Sequence, residues 1–167
     1  MHAAPTSDFP QAWDGEGTVP PVLLLIEDDD CDAAAFLRAF SKAGLKNPVR
    51  RVFDGRAALD HLRSRALNDA RKVIILLDLN LPRMNGHEFL TELRKDSALR
   101  HAAVFVMTTS RDHDDVARAY DRNVAGYIVK DTGTPDLTEF VRFLGDYAGM
   151  VLLPNVVVGT EASDGTS

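Results

Sequence analysis

An α/β domain built on a doubly wound, five-stranded parallel sheet is predicted by three features of the sequence. Short apolar runs alternate with segments of helical periodicity, and the alternation repeats five times. The two central runs, residues 22–26 and 73–77, are unbroken rather than alternating, which marks strands covered by helices on both faces. Turn residues punctuate the joins: Gly44, Asp54-Gly55, Pro82 and Gly86.

In chain order, Val22 to Ile26, bounded by Pro21 and Glu27, reads as the first buried strand. Ala33 to Ala43 carries Ala33, Phe36, Leu37 and Phe40 at helical spacing and stops before Gly44, with Asp29 or Asp30 as its N-terminal cap. Val49 to Phe53 is a short strand ending at Asp54-Gly55, and Arg56 to Ser64 a helix with Ala58, Leu59 and Leu62 on one side. Val73 to Leu79 is the second long apolar run, interrupted only by Asp78. His87 to Lys95 presents Phe89, Leu90 and Leu93 on one helical face. Val104 to Met107 is a strand, Asp112 to Arg122 a helix, and Tyr127 to Val129 a short strand. Pro135 suits the first turn of a last helix that carries Leu137, Phe140, Val141 and Leu144 and ends near Ala148-Gly149. Right-handed crossovers leave few arrangements for five such strands, and the flavodoxin-like order 2-1-3-4-5 is the natural one. That order opens a ligand crevice at the carboxyl ends of the first and third strands.

The chain of 167 residues, 45% hydrophobic, has length and apolar material for one domain with tails. The expected division is a flexible N-terminal segment at 1–20, the domain at 21–149, an apolar arm at 150–158 and a disordered polar tail at 159–167. Nineteen basic residues against 25 acidic leave a net charge of −6, which argues against a protein held by nucleic-acid phosphates. A lone cysteine, Cys31, makes no internal disulfide and is expected to be small and packed or half-exposed. No apolar run approaches the ~18 residues of a membrane helix, and no basic-then-apolar leader opens the chain. Residence in the cytoplasm and no membrane contact are the expectations.

Chemistry collects where the fold predicts it. The first strand runs into Glu27-Asp28-Asp29-Asp30, the third ends at Asp78, the fourth at Thr108-Thr109-Ser110 and the fifth at Lys130. Two carboxylates ~4 Å apart repel by ~4 kcal/mol even at an effective dielectric near 20. A crevice that gathers them needs a cation, a proton or a lysine to compensate. Oxygen-only ligands suit Mg²⁺, and Lys130 supplies a second positive charge. The five histidines fall in different elements with no i, i+4 pair, so no zinc site is expected.

With these residues in place, the chain resembles the response-regulator receiver domains of two-component signalling. The resemblance rests on Glu27-Asp28, on Leu-Asp-Leu-Asn-Leu-Pro-Arg-Met-Asn-Gly at 77–86, on Thr108 and on Gly-Tyr-Ile-Val-Lys at 126–130, in that order over about residues 20–149. It implies that Asp78 is the phosphoacceptor, forming a 4-aspartylphosphate. It implies Asp28 and Asp78 as Mg²⁺ ligands with the backbone carbonyl of Asn80, and Glu27 reaching the metal through water. Thr108 and Tyr127 match the switch pair, and Lys130 and Thr108 the groups that meet the phosphoryl oxygens. Two departures stand out: Asp131 replaces the usual proline after the lysine, and Thr109 stands where Ala or Gly is usual, narrowing access to the acceptor.

The function so implied is a phosphoacceptor module, not an enzyme, served by a sensor histidine kinase. The Leu-Asp-Leu-Asn-Leu-Pro stretch and the Thr-Ser after Thr108 are similar to regulators that partner phytochromes, so a bacteriophytochrome is the candidate kinase. The stretch after Lys130 is too short for a DNA-binding domain, which needs at least ~50 residues, so output through protein contacts or phosphate relay is expected. The apolar residues of the arm, with β-branched Val156 to Val158, suggest a homodimer. Two other classes fit less well. A haloacid-dehalogenase-like phosphatase wants a second Asp where Asn80 stands. A flavodoxin-like cofactor binder would set a flavin phosphate against an acidic crevice.

Overall fold

The computed structural model describes residues 20–64, 72–130 and 137–154. Strands β1 (Val22–Ile26), β2 (Val49–Val52), β3 (Val73–Leu77), β4 (Ala103–Thr108) and β5 (Gly126–Val129) alternate with helices α1 (Asp30–Lys42), α2 (Gly55–Arg63), α3 (Gly86–Lys95), α4 (His113–Asp121) and α5 (Leu137–Met150). The strands form one parallel sheet in the order β2-β1-β3-β4-β5. The predicted class and strand order both hold, and β5 is an edge.

The pleat sorts each central strand between two cores. Val22, Leu24 and Ile26 of β1, Val73, Ile75 and Leu77 of β3, and Val104 and Val106 of β4 pack under α2, α3 and α4. The intervening Leu23, Leu25, Ile74, Leu76, Phe105 and Met107 pack under α1 and α5. Burial on both faces is the reason these strands read as continuous apolar runs. On the second face the ring of Phe105 meets Phe140, Phe143 and Tyr147 edge-on, with centroids 5.0–6.2 Å away.

Each of the first four helices starts on a side-chain cap. Asp29 accepts from the N–H of Asp32, Asp54 from Ala57, and Asp112 from Asp114. Asn85 and Glu88 form a reciprocal capping box at the start of α3. The caps lie next to the carboxyl ends of the strands, so every crossover delivers a polar residue to the same rim of the sheet.

Several boundaries differ from the sequence reading. α1 begins at Asp30, three residues before the first apolar position, because Asp29 supplies the cap. β2 stops at Val52, and Phe53 is half exposed beneath the guanidinium of Arg51, 4.4 Å from its ring centre. Leu37, expected on the buried face of α1, is 42% exposed: Ala33, Phe36, Ala39 and Phe40 fill that face without it. Cys31 is exposed, since it sits in the first turn of α1 with its acidic neighbours rather than over the sheet. Pro135, the peptide after Lys130 and the valines at 156–158 lie outside the described residues.

One close approach fixes the loop between β3 and α3. Gly86 packs so tightly that a Cβ there would stand 2.6 Å from the Asp78 carbonyl oxygen and 2.6 Å from the Leu79 Cα. Its N–H donates to the Leu79 carbonyl at 3.0 Å. A side chain at this position would have to move backbone, which only glycine avoids. Gly86→Ala is therefore expected to cost ~1–3 kcal/mol in urea unfolding, with the largest amide shifts at residues 78–80. Parent-like stability would contradict the packing.

Candidate functional site

The carboxyl ends of β1 and β3 are neighbours in register, Ile26 opposite Leu77, so the residues that follow them meet. The Asp78 N–H donates to the Ile26 carbonyl at 3.1 Å, extending the pairing by one step. Donor oxygens of Glu27, Asp28 and Asp78 all lie within 4.8 Å of one another. Glu27 is 3% exposed and Asp78 9%, whereas Asp28 faces solvent. From β5, Lys130 brings its ammonium between them. Its Nζ donates to Glu27 Oε2, donates to Asp32 Oδ2 at 3.0 Å and lies 3.5 Å from Asp78 Oδ2.

Burial works against the charged forms of Glu27 and Lys130. It pushes the Glu27 carboxyl up and the presence of Asp78 adds to that; Lys130 draws it back without restoring the ordinary value. Burial also works against the Lys130 ammonium, but the hydrogen bond to Glu27 and the charges of Asp78 and Glu27 outweigh it, so its pKa is raised. The lysine stays charged across the physiological range, and the pocket keeps one cation among several anions.

The loop from 78 to 86 is held from two sides. Asn80 N–H donates to Asp78 Oδ1 at 3.2 Å, which fixes the carboxylate's rotation. At the other end Arg83, in the left-handed region at φ 61°, donates through Nε to Asp54 Oδ2 at 2.6 Å. The Gly55 N–H donates to the Met84 carbonyl at 3.0 Å. The N-terminus of α2 thus clasps this loop. On the far side of β1, Arg51 donates to the carbonyls of Glu27 at 3.0 Å and Asp28 at 3.3 Å, pinning the acidic turn.

Thr108 ends β4 fully buried, and its carbonyl accepts the Lys130 N–H at 2.7 Å. Tyr127 is half-buried on the face covered by α3 and α4. Its hydroxyl donates to the Ser110 carbonyl at 3.0 Å, and burial raises the phenol's pKa above its usual value. The Ser110 hydroxyl donates to Asp115 at 2.6 Å, and Asp115 also meets His87 Nε2 at 2.9 Å. A hydrogen-bonded path therefore joins β5, the loop after β4, α4 and α3.

All of the singled-out residues but Tyr127, which stands within β5 opposite Val106, lie on the rim that the strand order defines. Glu27, Asp28, Asp78 and Lys130 are brought together; Asn80 lies beside Asp78; Thr108 and Tyr127 stand on β4 and β5 next to them. Sequence reasoning missed Asp32, Arg51, the Asp54–Arg83 clasp and the His87–Asp115 contact. Asp32 alone left a trace, as the acid three residues after the cap Asp29 in the first turn of α1.

An acidic crevice with a lysine, on this sheet order, defines a class. Residues 23–142 match the response regulator receiver domain family, and the chain belongs to it. Its work is phosphorylation-dependent signalling, and the phosphatase reading finds no support. Among relatives, the probable methanogenesis regulatory protein FilR2 of Methanothrix harundinacea is 37% identical over 134 residues, 79% of this chain and 86% of its own. Response regulator Rcp1 of Synechocystis sp. is 33% identical over 129 residues, 76% of this chain and 88% of its own. Among solved structures, the phosphorylated cyanobacterial phytochrome response regulator RcpA superposes with a TM-score of 0.71 at 32% identity, over 81% of this chain and 99% of that one. The Mn²⁺-bound form of Rcp1 gives 0.70 at 31% identity over the same shares. The chain is thus similar to phytochrome-associated regulators. Among the described residues, no helix is long and apolar enough to cross a membrane.

The clasp makes a pH prediction. Burial disfavours the Asp54 carboxylate, but the Ala57 N–H and Arg83 overcome this and hold its pKa below the usual Asp value. A depressed folded pKa contributes stability that is complete above the unfolded value and is lost as pH falls through the folded one. Asp54→Ala should cost about 1–2 kcal/mol at neutral pH through the lost cap. The gap to the parent should close as pH falls below the ordinary Asp pKa. Denaturant melts at several pH values measure this, and a gap that widens toward acid would refute it.

Proposed function

We propose that Asp78 accepts a phosphoryl group from the phosphohistidine of a sensor histidine kinase. The observation that carries the proposal is the meeting of Glu27, Asp28 and Asp78 with the Lys130 ammonium on one rim of the sheet. An Asp78 oxygen attacks phosphorus as the bond to the histidine nitrogen breaks, leaving an acyl phosphate. Such transfer depends on placement and charge neutralisation more than on covalent assistance. Lys130 and Thr108 take phosphoryl oxygens, and the Asn80 N–H holds the carboxylate's orientation.

The donor set is all oxygen, with three carboxylates gathered within 4.8 Å, and this fits a hard divalent cation. We assign Mg²⁺ to Asp28, Asp78 and the Asn80 carbonyl, with Glu27 through water. When bound, the ion supplies positive charge opposite the transferring phosphoryl oxygens. Thr108 and Tyr127 form the switch: the hydroxyl of Thr108 turns toward the phosphate, and the Tyr127 ring answers on the face under α4. The likeness to RcpA and Rcp1 supports a bacteriophytochrome as the kinase.

Output passes through a homodimer in this reading. Phe143 in the middle of α5 is 48% exposed, and Met150, Val151 and Leu152 at and just past its end are 72, 39 and 90% exposed, the last two beside Ala125, just before edge strand β5. These exposed residues of the arm, 150–152, pack on a second copy there. Leu153, by contrast, is buried on its own domain with α1 and α5, so part of the segment folds back.

Two experiments test these assignments. Labelling by a phosphorylated kinase or an acyl phosphate should fail in Asp78→Asn and in excess chelator, and uptake in either case would end the proposal. Light scattering at tens of micromolar should show a dimer that Leu152→Ser weakens; a monomeric parent, or a variant dimer of equal tightness, rejects the arm.

A further inference from the structure

Asp32 stands in the first turn of α1, where an acid needs no function: carboxylates stabilise a helix N-terminus. Its side chain, however, is committed elsewhere. Oδ2 lies 3.0 Å from the Lys130 Nζ, closer than the 3.5 Å to Asp78. Lysine carries a compact charge on a flexible four-carbon stem and three donors that rotate freely. Two of those donors are taken here. Glu27, at the end of β1, holds the ammonium from the buried side, and Asp32, on α1, holds it from the solvent side. Their exposures differ accordingly: the Glu27 side chain is 3% exposed and that of Asp32 45%. The third hydrogen is left for Asp78. With only the inner partner, a mobile stem could carry the charge out of line with Asp78.

We propose that Asp32 is a positioning residue for phosphoryl transfer, bracing the Lys130 ammonium from the outside so that it remains over Asp78. The inference rests on the phosphorylation of Asp78 proposed above. It separates from a purely electrostatic role by sign. Asp32 adds negative charge beside an anionic donor, so if charge alone mattered, its removal would speed transfer. A brace predicts the reverse.

The experiment uses the full chain with Mg²⁺ and acetyl phosphate. In the step followed, an Asp78 carboxylate oxygen bonds to phosphorus while the bond from phosphorus to the acetate oxygen breaks, its electron pair leaving with acetate. Asp32→Ala should slow this step by about three-fold, the scale of a partly exposed ion pair. Asp32→Glu should recover most of the rate, and Asp32→Asn, which keeps an acceptor but not the charge, should fall between. Thermal melts should barely change, because the cap of α1 is Asp29 and remains. The proton and nitrogen NMR signals of the Lys130 ammonium should move in Asp32→Ala and return in Asp32→Glu; a merely helix-stabilising acid would leave them still. A rate in Asp32→Ala equal to or above the parent's, or an unmoved ammonium signal, overturns the brace. A parent that takes up no phosphoryl group overturns the receiver chemistry and this inference with it. A labelled parent beside an unaffected Asp32→Ala removes the brace alone.

Discussion

A single ammonium shared among carboxylates from three elements governs this structure. Parallel pairing of β1 and β3 forces Glu27 and Asp78 together whatever their charges, because successive strands end on the same rim. Repulsion between them is offset by Lys130, delivered from β5 on the far side of β4. The lysine therefore joins the first and last strands of the sheet's working half through charge rather than through the ladder. A phosphoryl group entering this site would meet a cation already in place and a carboxylate already oriented by the Asn80 N–H.

The loop that carries Asp78 gains its rigidity from contacts outside the charged pocket. Gly86 lets α3 begin against the backbone of Asp78 and Leu79, and the start of α2 grips the loop through Asp54 and Arg83. Preorganisation of this kind matters for a reaction in which placement supplies most of the assistance. The path from Tyr127 through Ser110 to Asp115 and His87 has a different character. Its members are polar and only partly buried, so their hydrogen bonds are held less by packing than the core contacts are.

Legibility in the sequence followed physical cause. The sheet order and the two-sided burial were readable because apolar runs 22–26 and 73–77 report burial directly, and the rim position of Asp78 follows from the run before it. The acidic pocket was readable because strand ends are marked by the change from apolar to charged residues. Asp32, Arg51 and Arg83 were not, because a long or exposed charged side chain can reach several partners and only the folded backbone selects one. Leu37 misled for a related reason: an apolar residue at a periodic position is buried only if its neighbours leave room, and here Phe36 and Phe40 had filled the face.

α4 is anchored by very little. Of its residues only Ala119 is fully buried, whereas α3 buries Phe89, Leu90 and Leu93 and α5 buries Phe140, Val141 and Leu144. Apart from Asp115, which is tied to Ser110 and His87, and partly buried Val116, its remaining surface is little constrained by the core, so substitutions there are close to neutral for folding. In evolutionary terms the helix is open ground. The exposed face of α4 can vary in sequence while the pocket and the two cores beneath it stay fixed.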